Sequence, residues 1–134
     1  MASYTPYGTY DKSKAGHPEI YFVQRNTSID YRGELKISPL SLWGYENMVI
    51  TASHDIILKG SFTQEMRGAH VFVDDYAWIT SRTILYNCHI MTHAIVAVGA
   101  VVSNMIVQPY NVVAGNPAVV IAMYDLEKKR WRRP

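Results

Sequence analysis

Counted in sixes from Val73, the chain reads VDDYAW, ITSRTI, LYNCHI, MTHAIV and AVGAVV. The first place of each hexad holds Val73, Ile79, Leu85, Met91 or Ala97, and the fifth holds Ala77, Thr83, His89, Ile95 or Val101. The same count upstream gives YRGELK, ISPLSL, WGYENM and VITASH, led by Tyr31, Ile37, Trp43 and Val49. Val49 stands 24 residues before Val73, so both stretches share one phase. An amphipathic helix would space its apolar residues by three and four, and a hairpin strand would alternate strictly. A period of six with two inward places, two residues apart within each strand, predicts a parallel β-helix in which each hexad supplies a short strand and a corner. Such coils cannot bury their inner faces singly and have to stack. An irregular β-sandwich whose strands share a phase by coincidence is the alternative.

The pattern fails between His54 and Val71, where Asp55, Ser61 and Arg67 occupy the leading places. A polar stretch such as KGSFTQEMRGAH leaving a regular coil predicts a protruding loop at about residues 55–70, and long loops in compact domains are often functional. His54 then ends a coil at the root of this excursion, between Ser53 and Asp55. The expected organisation is an N-terminal segment at 1–28, a β-helix at 29–123 and a basic tail at 124–134, helical or irregular.

Composition narrows the partners. At 134 residues the chain has the length of one domain. With 49% hydrophobic and 18% charged residues and a formal net charge of +2, it lacks the excess charge that would argue for nucleic acid. Lys128, Lys129, Arg130, Arg132 and Arg133 crowd the end, where a solvated run is the ordinary reading. The one cysteine, Cys88, excludes an internal disulfide. Residues 1–14 are polar and Tyr-rich without an apolar core, so no signal peptide is expected. The apolar stretch AIVAVGAVV at 94–102 is far shorter than the roughly 18 residues of a membrane span. A cytoplasmic protein without membrane insertion is the expectation.

Several segments together resemble the left-handed β-helix (hexapeptide-repeat) acyltransferases. VFVDDYAWITSRTIL, AVGAVVSN and PYNVVAGNPAVVI, within 71–121, are similar to the C-terminal signature of that family. SIDYRGELKIS at 28–38 and ITASHD at 50–55 are similar to the first coils and catalytic histidine segment of its sugar and polysaccharide O-acetyltransferases, the maltose and galactoside acetyltransferases among them. The resemblance implies an all-β, left-handed parallel β-helix that forms homotrimers. It also implies active sites between neighbouring prisms, acetyl-CoA as co-substrate without a metal, and a carbohydrate acceptor. By motif it places His54 as general base with Asp55 as candidate orienter, and Trp78, Ser81, Gly99 and Ser103 along the coenzyme. The chain departs from the family at Asp74, Thr80 and Thr92, where glycine usually follows the leading aliphatic residue. It departs also at Ser103-Asn104, where Thr-Lys is usual, and at Val119, where a cation is usual. Each lost charge-assisted contact is worth roughly 1.5–3 kcal/mol, and the basic tail is a candidate source of replacement charge.

An unperturbed imidazole, with a pKa of about 6.5, offers a neutral base at physiological pH. Removing the proton of an attacking hydroxyl contributes about 10²–10⁴-fold. The ordinary alternative for His54 is a partly exposed histidine at a strand end. Cys88 as a covalent nucleophile has no cationic neighbour to activate it, and an inert thiol is the plainer reading. His70, His89 and His93 invite a metal site, but a four-residue spacing does not align two ligands in a hexad coil, and His89 at a fifth place is expected inward. Lys59 and Arg67 are candidates for anion contacts, and Tyr4, Tyr7 and Tyr10 for sugar stacking. N-acylation of an amino sugar and a non-catalytic β-helical scaffold are the rival functions.

Overall fold

The computed structural model describes residues 26–56 and 62–134, apart from the side chains of residues 54–56 and 62–67. Its described elements are fourteen strands, with no helix among the described residues. They wind into four coils of a three-sided prism. The first coil is β1 (Ser28–Ile29), β2 (Glu34–Ile37) and β3 (Leu42–Trp43). The second is β4 (Met48–Ile50), then β5 (Ala52–Ile56) and β6 (Phe62–Gly68), then β7 (His70–Val73) and β8 (Trp78–Ile79). The third is β9 (Ile84–Ile90) with β10 (Ile95–Val96), and the fourth β11 (Val101–Val107) with β12 (Asn111–Ala114). β13 (Val119–Asp125) and β14 (Arg130–Arg132) close the chain.

Parallel pairing stacks the coils in register. On the first face β1, β4, the start of β9 and the start of β11 align Ile29, Val49, Leu85 and Val102. On the second face β2, β7 and the ends of β9 and β11 align Ile37, Val73, Ile90 and Val107. On the third face β3, β8, β10 and β12 align Trp43, Ile79, Val96 and Val113. All twelve side chains are buried and make the core continuous along the axis. Alternation along each short strand sends the flanking residues outward.

The hexad register of the sequence holds over Ile37, Trp43 and Val49 and again over Val73, Ile79 and Leu85, and then slips. The inward residues that follow are Ile90, Val96 and Val102, not Met91 and Ala97. Cys88, Ala94 and Ala100 therefore point inward, and His89, Ile95 and Val101, expected inward, are displaced to the outer side. The cause is the edge between the first and second faces. β9 and β11 each turn this edge on a single residue in the left-handed conformation, Asn87 (φ 46°) and Asn104 (φ 54°). Asparagine tolerates that conformation better than other residues with a Cβ. The two side chains stack, Asn87 Nδ2 donating to Asn104 Oδ1 at 2.8 Å.

The tail read as helical or irregular is instead strand. β13 runs antiparallel to β12, and β14 antiparallel to β13, extending the third face. The Asn116-Pro117 peptide bond is cis where the chain leaves β12.

Candidate functional site

The same edge carries the excursion. In place of an open loop, the second coil sends out a β-hairpin in which β5 and β6 pair antiparallel, Ser53 opposite Arg67 and His54 opposite Met66. The two arms thereby satisfy each other's backbone groups away from the prism. The register shifts between His54 and Ile56, so Asp55 lies at an irregularity in the ladder. The backbones of His54 and Asp55 are placed by this pairing, whereas their side chains lie outside the described residues, as do Lys59, Tyr4, Tyr7 and Tyr10 and the side chain of Arg67.

The root of the hairpin is clamped. Ala69 N–H donates to the Thr51 carbonyl at 2.8 Å, and Glu34 N–H to the Ala69 carbonyl at 3.0 Å, so entry and exit of the excursion lie side by side. Gly33 packs over both: a Cβ there would lie 1.9 Å from the Thr51 carbonyl oxygen and 2.5 Å from that of Ala69. Buried Asp30 accepts hydrogen bonds from Arg32 Nε at 2.8 Å and Nη2 at 2.9 Å, and from Thr51 N–H at 3.3 Å. Burial alone would raise the Asp30 pKa; the hydrogen bonds from Arg32 and Thr51, with the Arg32 charge, outweigh it and hold the carboxyl below its usual range. Next to His54, Ser53 Oγ lies 3.1 Å from the Tyr86 hydroxyl on the first face.

The coenzyme candidates fall into two sets. Ser103 lies on the outer side of the first face, in register with Tyr86 one coil away and near the hairpin edge. Ser81 and Gly99 lie at the opposite edge of that face, Gly99 N–H donating to the Ser81 carbonyl at 3.0 Å. Ser81 Oγ accepts from Tyr45 N–H at 2.9 Å, and a Cβ at Gly99 (φ 76°) would meet only open space. The four steps along the chain from Gly99 to Ser103 span roughly 13 Å at ~3.3 Å each. Trp78, 43% exposed, points out of the third face and away from the hairpin edge. Ser81, Gly99 and Ser103 thus lie along the first face, whereas Trp78 lies on the third.

Other candidates resolve in place. Cys88 is buried, and burial pushes its thiol up to about 12, so it has no thiolate to offer. His89 is half-buried on the second face, with Nε2 2.9 Å from both carboxylate oxygens of Asp74. Two residues named as departures from the family take structural work here. Asp74 makes this pair, and Thr80 Oγ1 donates to the Val96 carbonyl at 2.7 Å. The His89–Asp74 pair joins two coils across 15 residues, which no local spacing announces. His93 stacks on Tyr110 at 4.7 Å and meets Tyr76 at 5.1 Å; His70 lies against Phe72 at 4.5 Å. No cluster of three metal-ligating side chains occurs among the described residues.

No family model matches the chain, and no curated protein matches it in sequence. Solved structures do. A maltose O-acetyltransferase from Clostridium difficile 630 superposes with a TM-score of 0.66 at 21% identity, over 75% of this chain and 54% of that protein. A galactoside acetyltransferase in complex with coenzyme A gives 0.66 at 18% identity, over 81% and 55%. A hexapeptide-repeat acetyltransferase from Vibrio cholerae O1 biovar eltor, complexed with acetyl coenzyme A, gives 0.57 at 23%, over 72% and 56%. The chain thus spans little more than half the length of the proteins it matches, and shares with them the left-handed parallel β-helix.

Proposed function

We propose that the chain is an acetyltransferase that moves an acetyl group from acetyl-CoA to a hydroxyl of a sugar or polysaccharide, with His54 as general base. The observation that carries this reading is the edge between the first and second faces. It bears the one long excursion of the described prism, rooted next to His54, on a fold shared with coenzyme-binding acetyltransferases.

In the proposed reaction the neutral imidazole of His54 takes the acceptor hydroxyl proton as the oxygen attacks the thioester carbonyl. Backbone N–H groups stabilise the resulting oxyanion. Collapse breaks the carbon–sulfur bond, and the imidazolium returns its proton to the departing coenzyme thiolate. Transfer is direct, which agrees with a buried Cys88 whose thiol burial pushes up to about 12. Asp55 is a candidate to orient the ring. The coenzyme lies against Trp78, Ser81, Gly99 and Ser103. The separation of Trp78 from the hairpin edge supports a homotrimer in which one prism's third face meets a neighbour's hairpin.

The test is acetyl transfer by the full chain to a panel of sugars, with His54→Ala and His89→Ala compared. His54→Ala is expected to lower kcat by about 10²–10⁴-fold, with His89→Ala leaving most of the rate. The reverse result moves the base to the His89–Asp74 pair on the second face. Transfer only to amino sugars, insensitive to His54, would replace O-acetylation by N-acylation.

A further inference from the structure

The tight corner of β9 lies beneath the excursion. β4 and β7, the strands that the hairpin joins, both pair with β9, one on either side of Asn87. Tyr86 and Asn87 therefore occupy consecutive positions under the two roots, and each reaches one of them. The Tyr86 hydroxyl lies 3.1 Å from Ser53 Oγ on the entering arm. Asn87 Oδ1 accepts from the His70 N–H at 3.5 Å, just past the leaving arm.

The clamp of Gly33 and Glu34 holds the excursion from the first coil, at Thr51 and Ala69. Ser53 and His54 lie beyond that clamp, where β5 pairs with β6. A two-stranded ribbon has little stability of its own, so its direction is set by what ties it to the prism. The tie to Tyr86 comes from the third coil, on the side opposite the clamp, and is made by the residue immediately before His54. Both side chains are half-buried, and either hydroxyl can donate.

The geometry points to Tyr86 as a positioning residue for His54, acting through Ser53: its hydroxyl holds the strand that carries the base at one angle to the first face. The inference rests on the acetyltransferase reading above. A misplacement of about 1 Å costs on the order of 10²-fold in rate, so one hydrogen bond that adds little to folding weighs heavily in kcat.

The experiment compares Tyr86→Phe, Ser53→Ala and the double variant, each with and without His54→Ala, in acetyl transfer by the full chain to the sugar the parent uses best. Tyr86→Phe keeps the ring and removes one oxygen. It is expected to lower kcat about ten- to hundredfold and to leave KM for acetyl-CoA within about twofold. Ser53→Ala is expected to match it, and the double variant to lose no more than either single. None of the three is expected to lower the residual rate of His54→Ala. Hydrogen exchange followed by mass spectrometry is the second readout. In Tyr86→Phe, residues 52–56 and 62–68 are expected to exchange several-fold faster, while β7, β9 and β11 keep the parent's protection. A full rate in Tyr86→Phe, losses that multiply in the double variant, or faster exchange throughout the prism would each overturn the inference; the last would make Tyr86 a contributor to the fold alone. A parent that depends on His54 but not on Tyr86 would overturn this inference and leave the acetyltransferase reading standing. A parent that acetylates no sugar would overturn that reading and this inference with it.

Discussion

From Ile37 to Trp43, Val73 to Ile79, Ile90 to Val96 and Val107 to Val113, the chain always takes six residues to pass from the second face to the third. From the first face to the second, the same count gives eight residues between Ile29 and Ile37 and 24 between Val49 and Val73. It gives five between Leu85 and Ile90, and again five between Val102 and Val107. Constant length at one edge lets equivalent residues stack. Tyr76, His93 and Tyr110 lie above one another with φ of 64°, 59° and 63°, their rings in contact. At the other edge the strands on either side stay in register while the link between them changes freely. A closed loop's entropy grows only slowly with its length, so an excursion can be added wherever its roots are held. Repetition stabilises the prism, and the edge that escapes repetition has room for chemistry.

The largest effect expected from breaking this division is at Gly33, over the hairpin root. Gly33→Val drives a Cβ into two backbone carbonyls and is expected to lower stability by about 3 kcal/mol or more. Gly68→Ala, where nothing lies within 4 Å, is expected to be close to neutral; denaturant titration of both compares root with arm.

Asp30→Ala removes the buried carboxylate that accepts from Arg32 and Thr51 and is expected to cost about 3 kcal/mol. Because the folded pKa is lowered, Asp30 contributes its full stabilisation above the usual 3.8, and the contribution is lost as pH falls through the folded value. The stability gap between the parent and Asp30→Asn should therefore be constant near neutrality and close below about pH 3.8.

On the constant edge, His93→Ala removes ring stacking and keeps the left-handed φ, while His93→Gly removes the stacking and relieves that conformation. Glycine should be the more stable of the two by about 1 kcal/mol in thermal melts. Asn104→Lys gives up the Asn87 hydrogen bond at the tight corner, and a loss of about 1 kcal/mol is expected. This also gives a physical reason for asparagine at this corner.

The coil architecture was legible because inward residues recur in sixes, and Ile37, Trp43, Val49, Val73, Ile79 and Leu85 keep that register in space. The slip after Leu85 was not, because a corner turned on one asparagine shortens the repeat without changing its apolar content. It exchanged the expected places of Cys88 and His89. The hairpin was visible as a failure of the pattern, but not its form, since β5 and β6 pair through backbone. The strand β14 escaped notice because a run of basic residues carries no periodicity, and the antiparallel course of β13 because its apolar residues 119–123 read as continuing the β-helix. His54 was legible as a residue at the root of an excursion; the pairing of its neighbour Ser53 with Tyr86, 33 residues away, was not.

The most direct test of the division between edges is to remove the excursion. Thr51 and Ala69 are already hydrogen-bonded, so residues 53–68 can be replaced by Asn-Gly. The account predicts a protein that melts cooperatively within about 4 °C of the parent and transfers no acetyl group from acetyl-CoA to any sugar the parent accepts. A shortened chain that fails to fold, or that still acetylates at the parent's rate, would contradict it.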